Sequence, residues 1–180
     1  MQDILKDMIP VVKTRINNSF STGDYSMWDS MVIDRRKPHT YRAFTQIDNY
    51  RVCLHRFMPC SEEEAFAHPH PWPAVFMVLE GEYRHIVGVA DDFDADPVLM
   101  DDRVMTAGDY CSITNPLIFH SVQPLTQTFT IMVNGPEWEQ QHSQTRRTKG
   151  KDLKSFTGDQ LRNHLWEIED LLHKVKMLEV

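Results

Sequence analysis

Long apolar runs are missing from this chain of 180 residues. No stretch approaches the roughly 18 residues that cross a bilayer as a helix, so no membrane partner is expected. The start, MQDILKDMIPVVK, has acids and a proline where a signal peptide needs a basic start and an apolar stretch. Export is not expected, and a cytoplasmic location is. Positive charge is in deficit: 19 Lys+Arg stand against 26 Asp+Glu, a net charge of −7. This balance argues against general binding of DNA or RNA, which relies on positive surface to displace counterions, though it leaves room for a local basic patch. Cysteine is scarce. Cys53, Cys60 and Cys111 are an odd number and read as reduced thiols. Cys53 and Cys111 sit in strand-like apolar surroundings, where a thiol is inert packing rather than a nucleophile. A Walker loop, GxGxxG, GxSxG and any internal repeat are also absent.

What is present suits one folded domain with helical additions. Apolar residues make up 41% and charged residues 25%. A chain this long buries roughly 70% of its unfolded surface and needs no staple to fold. Residues 1–39 read as an N-terminal helix and loop. Leu5, Ile9, Val12 and Ile16 recur at helical spacing, with Pro10 expected to kink the helix or mark its start. Ser19 to Ser30 reads as a loop. Residues 40–138 change character. The runs TYRAFTQI, YRVCLHRFM, AVFMVLEGEYRHIVGV, YCSITN, HSVQPL and TFTIMV are punctuated by Gly, Pro, Asn and Asp. Many short strands with few helical signals predict an all-β antiparallel barrel or sandwich. Glu80-Gly81 is expected to be a hairpin turn.

Residues 139–156 are a polar, basic linker or flap carrying Arg146, Arg147, Lys149, Lys151 and Lys154. Residues 157–180 are an amphipathic helix opened by a capping box, Thr157 with Gln160. Its seam of Leu161, Leu165, Ile168, Leu172 and Val175 packs either on the sheet or on a second copy. The acidic stretch DDFDADPVLMDD at 91–102 reads as a solvated hairpin loop. It is no EF-hand, since a loop from Asp92 would hold Pro97 and Arg103 where glycine and glutamate are needed.

The chemistry centres on His68-Pro-His70-Pro-Trp72-Pro. Two histidines at i and i+2 on a strand share a face and form half of a metal site. From spacing alone they read equally well as polar residues of an exposed loop. His120 opens another β-rich run and would complete a set of three imidazoles, leaving positions open for substrate and oxygen or water. His55 lies on an earlier strand and is a fourth ligand, a donor behind the ligands or a core residue. His39 and His85 read as surface. Arg42 and Arg56 are candidates to fix a carboxylate by a bidentate pair. Trp72 and Trp138 are candidates to wall the pocket.

On these residues the sequence resembles the cupin superfamily. The first motif matches as His68, His70 and VFMVLEG ending at Gly81, and the second as Gly108, Asp109, Asn115-Pro116 and His120. The resemblance spans roughly residues 50–133. It implies a double-stranded β-helix barrel flanked by the two helices, a small-molecule substrate and a homodimer. The motif's glutamate falls at Ala74, so the site resembles three-histidine cupins such as the thiol dioxygenases, whose carboxylate-clamping arginine lies about where Arg42 stands. It also resembles small cupins of the HxHPW type. The implied cofactor is a divalent metal held by His68, His70 and His120, with Fe(II) first and Mn, Ni or Zn as alternatives. The implied activity is a non-haem iron oxygenase acting on a small polar, thiol-bearing carboxylate, with Arg42 and Arg56 as its catalytic candidates. The alternatives are a cupin that only binds an anionic small molecule, such as a sugar phosphate or nucleotide, a metal-dependent isomerase or epimerase, and a structural role with the C-terminal helix forming an oligomer.

Overall fold

The computed structural model describes residues 2–145 and 153–174. Helix α1 (Gln2–Thr22) leads into β1 (Asp29–Ile33), β2 (Thr40–Ile47) and β3 (Tyr50–Phe57). A short 3-10 turn, Glu62–Glu64, precedes the two-residue β4 (His68–Pro69). Then come β5 (Ala74–Glu80), β6 (Glu82–Val89), β7 (Val98–Thr106), β8 (Tyr110–Ile113), β9 (Ile118–Pro124) and β10 (Thr128–Asn134). Helix α2 (Gly158–Lys174) closes the described chain. The expected all-β antiparallel architecture with a helix at each end is what the structure has. One sheet runs β1-β2-β3-β10-β5-β8 and the other β4-β9-β6-β7.

Side-chain alternation divides the six-stranded sheet into two faces. Ala43, Val52, Leu54, Val75, Met77, Leu79, Ile131 and Val133 face the helices and form one core with Leu5, Ile9, Val12 and Ile16 of α1. Cys53, Ala74, Phe76, Val78, Ile113 and Met132 face the other way and meet Tyr83 and Met105 of the four-stranded sheet. Central strands β5 and β10 are therefore covered on both faces, which is why AVFMVL reads as an unbroken apolar run.

Four expectations need correction. Gly81 is not a hairpin turn between paired strands. β5 pairs with β8 and β10, and β6 with β7 and β9, so the chain passes from one sheet to the other at Gly81. The acidic stretch is a loop only up to β7, which takes Val98–Thr106 as the exposed edge of its sheet. The strand β1 pairs with β2 ahead of the first expected strand. Pro10 does not mark the start of α1, which begins at Gln2 and continues past it to Thr22. It lies on the exposed face, where solvent can meet the carbonyl that its missing N–H leaves free.

The capping box forms as expected. The Thr157 amide donates to Gln160 Oε1 at 2.9 Å, and the Gln160 amide donates to Thr157 Oγ1 at 3.3 Å. Leu161, Leu165, Ile168 and Leu172 are buried in the core shared with α1 and the sheet, so these four do not form a seam between copies. Val175 and the basic residues Arg146, Arg147, Lys149 and Lys151 lie outside the described residues. Lys154 is described, and its carbonyl accepts from the Val32 amide at 2.8 Å.

His164 fastens α2 to the sheet. Its Nε2 is 3.1 Å from the Leu54 carbonyl and donates to it, while its Nδ1 is buried without a partner. Burial, with Arg56 adding repulsion, pushes this ring down to about 4. The unfolded chain takes a proton near pH 6.5 that the folded chain refuses until far lower, so stability falls as pH drops through that window. His164→Gln keeps the donor and removes the titration. Between pH 7.5 and 4, urea unfolding should show the wild type losing about 3 kcal/mol more than the variant. An equal pH response in both proteins would remove His164 from the account.

Candidate metal centre

Strand β4 is held at the edge of its sheet by β9, with His68 opposite His120 and Pro69 opposite Phe119. An edge tolerates the prolines that flank the histidines, since they have no N–H to donate. The pairing sets His120 beside His68, and alternation brings His70 to the same side. The ligand atoms of His68, His70 and His120 lie within 4.8 Å of one another, and no carboxylate joins them among the described residues. Ala74 is buried among the interior apolar residues instead.

His70 Nε2 and His120 Nε2 are 2.8 Å apart. Two ligands about 2.1 Å from one ion and at right angles to each other sit about 3 Å apart, so this spacing fits a shared cation. In the ion's absence one ring carries a proton there and donates to the other. The His68 ring centroid is 5.2 Å from that of His70 and 4.8 Å from that of His120. His68 Nδ1 faces the Phe66 carbonyl at 3.4 Å, which leaves its Nε2 as the free ligand atom. Burial pushes His68 down to about 4, with repulsion from Arg36 and Arg42 acting in the same direction, and it pushes His70 and His120 well below their ordinary value, with repulsion from the neighbouring rings added. All three are neutral bases at pH 7, the form that binds a metal.

Behind them lies a second set of residues. Arg42 Nε donates to His55 Nε2 at 2.8 Å. A guanidinium only donates, so His55 Nε2 is the acceptor and its proton sits on Nδ1. That Nδ1–H donates to Thr130 Oγ1 at 3.1 Å. Burial holds His55 neutral, with the adjacent guanidinium acting in the same direction. Burial also lowers Arg42. Its Nη1 approaches Met31 Sδ at 4.0 Å. His55 is thus an acceptor for Arg42 and is not in the ligand group.

Arg56 is not brought to the histidines. It stands opposite Tyr41 in the β2–β3 register, one step out of phase with Arg42 and His55. Its guanidinium lies 4.5 Å from the Tyr41 ring centroid and bonds Glu167 of α2 at 3.2 Å. Trp72 sits edge-on to His70 at 6.2 Å between centroids, and the Trp138 amide donates to the Pro71 carbonyl at 2.9 Å. Burial raises the thiols of Cys53 and Cys111, in line with packing roles.

His85 overturns the surface reading. It is 0% exposed, and its Nε2 is 2.9 Å from His120 Nδ1. The available signal was its position two residues after Tyr83, on the inward phase of β6.

No protein-family model matches the chain, and no curated protein does. Solved structures give partial likenesses. A crystal structure of Fe(II) HppE aligns with a TM-score of 0.43 and 14% identity over 53% of this chain and 50% of that one. Hydroxypropylphosphonic acid epoxidase from S. wedmorenis gives 0.45 and 10% identity over 59% and 55%. An RmlC-like cupin from Shewanella frigidimarina gives 0.42 and 22% identity over 61% and 86%. The chain therefore spans about half the length of the first two.

Proposed function

We propose that this chain is a metal-binding cupin whose His68, His70 and His120 hold a divalent ion, Fe(II) first, and that it oxygenates a small polar, thiol-bearing carboxylate. The observation that supports this most is the convergence of three neutral imidazoles, two buried and His68 half-buried, with no carboxylate among them. Three neutral ligands leave a bound ion its full charge, so anionic ligands are favoured beside it. When bound, Fe(II) supplies the one-electron and oxygen chemistry that side chains lack.

The chain's own residues bind and orient the substrate. His55 accepts from Arg42 Nε, and Nη1 meets the weak acceptor Met31 Sδ at 4.0 Å, so a carboxylate can compete for the terminal guanidinium nitrogens. Thr130 fixes His55 in the tautomer that allows this. Among the described residues no carboxylate pairs with Arg42, which suits an anionic substrate as its partner. The same observation favours a second reading, a cupin that binds an anionic small molecule without turning it over.

The test is oxygen uptake by protein reconstituted anaerobically with Fe(II), offered a panel of thiol-bearing carboxylic acids. Turnover is expected in the wild type. Arg42→Gln should keep its iron and raise KM at least about tenfold, the loss of one charge-assisted pair. Iron-loaded protein that consumes no oxygen with any member of the panel would sink the oxygenase and leave the binding reading. An unchanged KM in Arg42→Gln would remove Arg42 from the site.

A further inference from the structure

We propose that His85 is a positioning residue for His120, holding that ring in the one tautomer that turns a bare nitrogen toward His68 and His70. The inference rests on the metal reading above and adds a part to it.

His120 turns Nε2 toward His70. A neutral imidazole has one N–H, so a bare Nε2 requires the proton on Nδ1. That proton then needs an acceptor, and His85 Nε2 stands 2.9 Å away. The strand register explains the meeting. β6 and β9 run antiparallel with Val87 opposite His120 and His85 opposite Val122. His85 is therefore the diagonal neighbour of His120 on the same face. Its ring crosses that of His120 at 77° and is packed edge-on by Phe76 and Tyr83. Both rings are buried.

His85 makes a poor purely structural residue. To accept at Nε2 it must carry its own proton on Nδ1. That Nδ1 is buried and has no partner. An unsatisfied buried donor weakens a fold, and an apolar ring in this apolar setting would avoid it. The arrangement makes sense if the acceptor at Nε2 is what the site needs. Metal-bound histidines usually donate their second N–H to a carboxylate, carbonyl or water. A neutral imidazole in that role orients the ligand without adding negative charge, which matches a cluster that no carboxylate joins among the described residues.

The test compares His85→Phe and His85→Gln, with Co(II) as probe, titrated into metal-free protein and read by its visible absorption. Phenylalanine fills the space and cannot accept. Glutamine offers an amide oxygen near the position of Nε2. His85→Phe should bind Co(II) about 10- to 100-fold more weakly and melt, metal-free, no lower than the wild type. His85→Gln should bind within about threefold of the wild type, because the acceptor is restored. Nitrogen chemical shifts of the His120 ring in the metal-free wild type, which need no variant to fold, should show the Nδ1–H tautomer. Equal Co(II) affinity in His85→Phe and wild type, or an Nε2–H tautomer at His120, would overturn the role of His85 and leave the three-histidine site standing. A folded wild type that binds no Co(II) would overturn both.

Discussion

His120→Ala is expected to lose its metal altogether. Protein purified without a histidine tag should carry near-stoichiometric metal by mass spectrometry, and the variant should carry none. The size of the effect follows from where His120 sits. It touches each of the other three rings: opposite His68 in the strand register, 2.8 Å from His70 through Nε2, and 2.9 Å from His85 through Nδ1. Loss of a partner behind a ligand weakens metal binding about 10- to 100-fold, so loss of a ligand itself should exceed 100-fold. His68 and His70 alone come from β4 and the residue after it, and would leave the ion mostly to water. His70→Ala should behave the same way. Arg56→Gln makes a useful contrast, because Arg56 bonds Glu167 on the helix side and should keep full metal. Metal retained in His120→Ala, with turnover intact, would sink the three-histidine assignment.

Much of this architecture was legible in the sequence, and the failures share a cause. Strands β2, β3, β5, β8 and β10 appear where β-rich runs end at Gly, Pro, Asn or Asp. These elements have a buried face, and burial is what writes a pattern into a sequence. The exposed edge strand β7 has almost none, so its first residues, VLMDD, read as part of the acidic loop at 91–102. Gly81 is legible as a turn but not as a crossing between sheets, because which strands pair is not local information. The site shows the same division. HxH and His120 could be paired by motif order. Whether Arg42, His55, Arg56 and His85 face inward depends on phase along each strand, and a shift of one residue reverses it. The phase was there to be read. Val52 and Leu54 on β3 belong to the helix side, so Arg56 does too, and Cys53 and His55 take the interior. What no pattern revealed was the His85–His120 contact, which needs the register between β6 and β9.

The largest effect on stability is expected at the sheet crossing, from Gly81→Ala. Gly81 has φ +83, and a Cβ there would meet Gln127 O at 2.3 Å and Thr128 Cα at 2.9 Å. Gly108 supplies the control. It has φ +92 in the turn after β7, yet a Cβ there meets nothing within 4 Å. Both substitutions impose the left-handed penalty of about 1–2 kcal/mol. Only Gly81→Ala adds a clash with backbone, which cannot rotate out of the way as a side chain can. Gly108→Ala should therefore lower the melting temperature by about 2–8 °C for a chain of this size. Gly81→Ala should lower it by more than about 10 °C, if the protein folds at all. The clash would also push β6 away from the β9–β10 turn, and β6 carries His85. Metal affinity should then fall in whatever Gly81→Ala protein can be recovered, and stay intact in Gly108→Ala. Equal losses of stability in the two variants would mean that the β9–β10 turn yields to the added methyl, and that the crossing at Gly81 needs only the conformation of glycine and not its lack of a side chain.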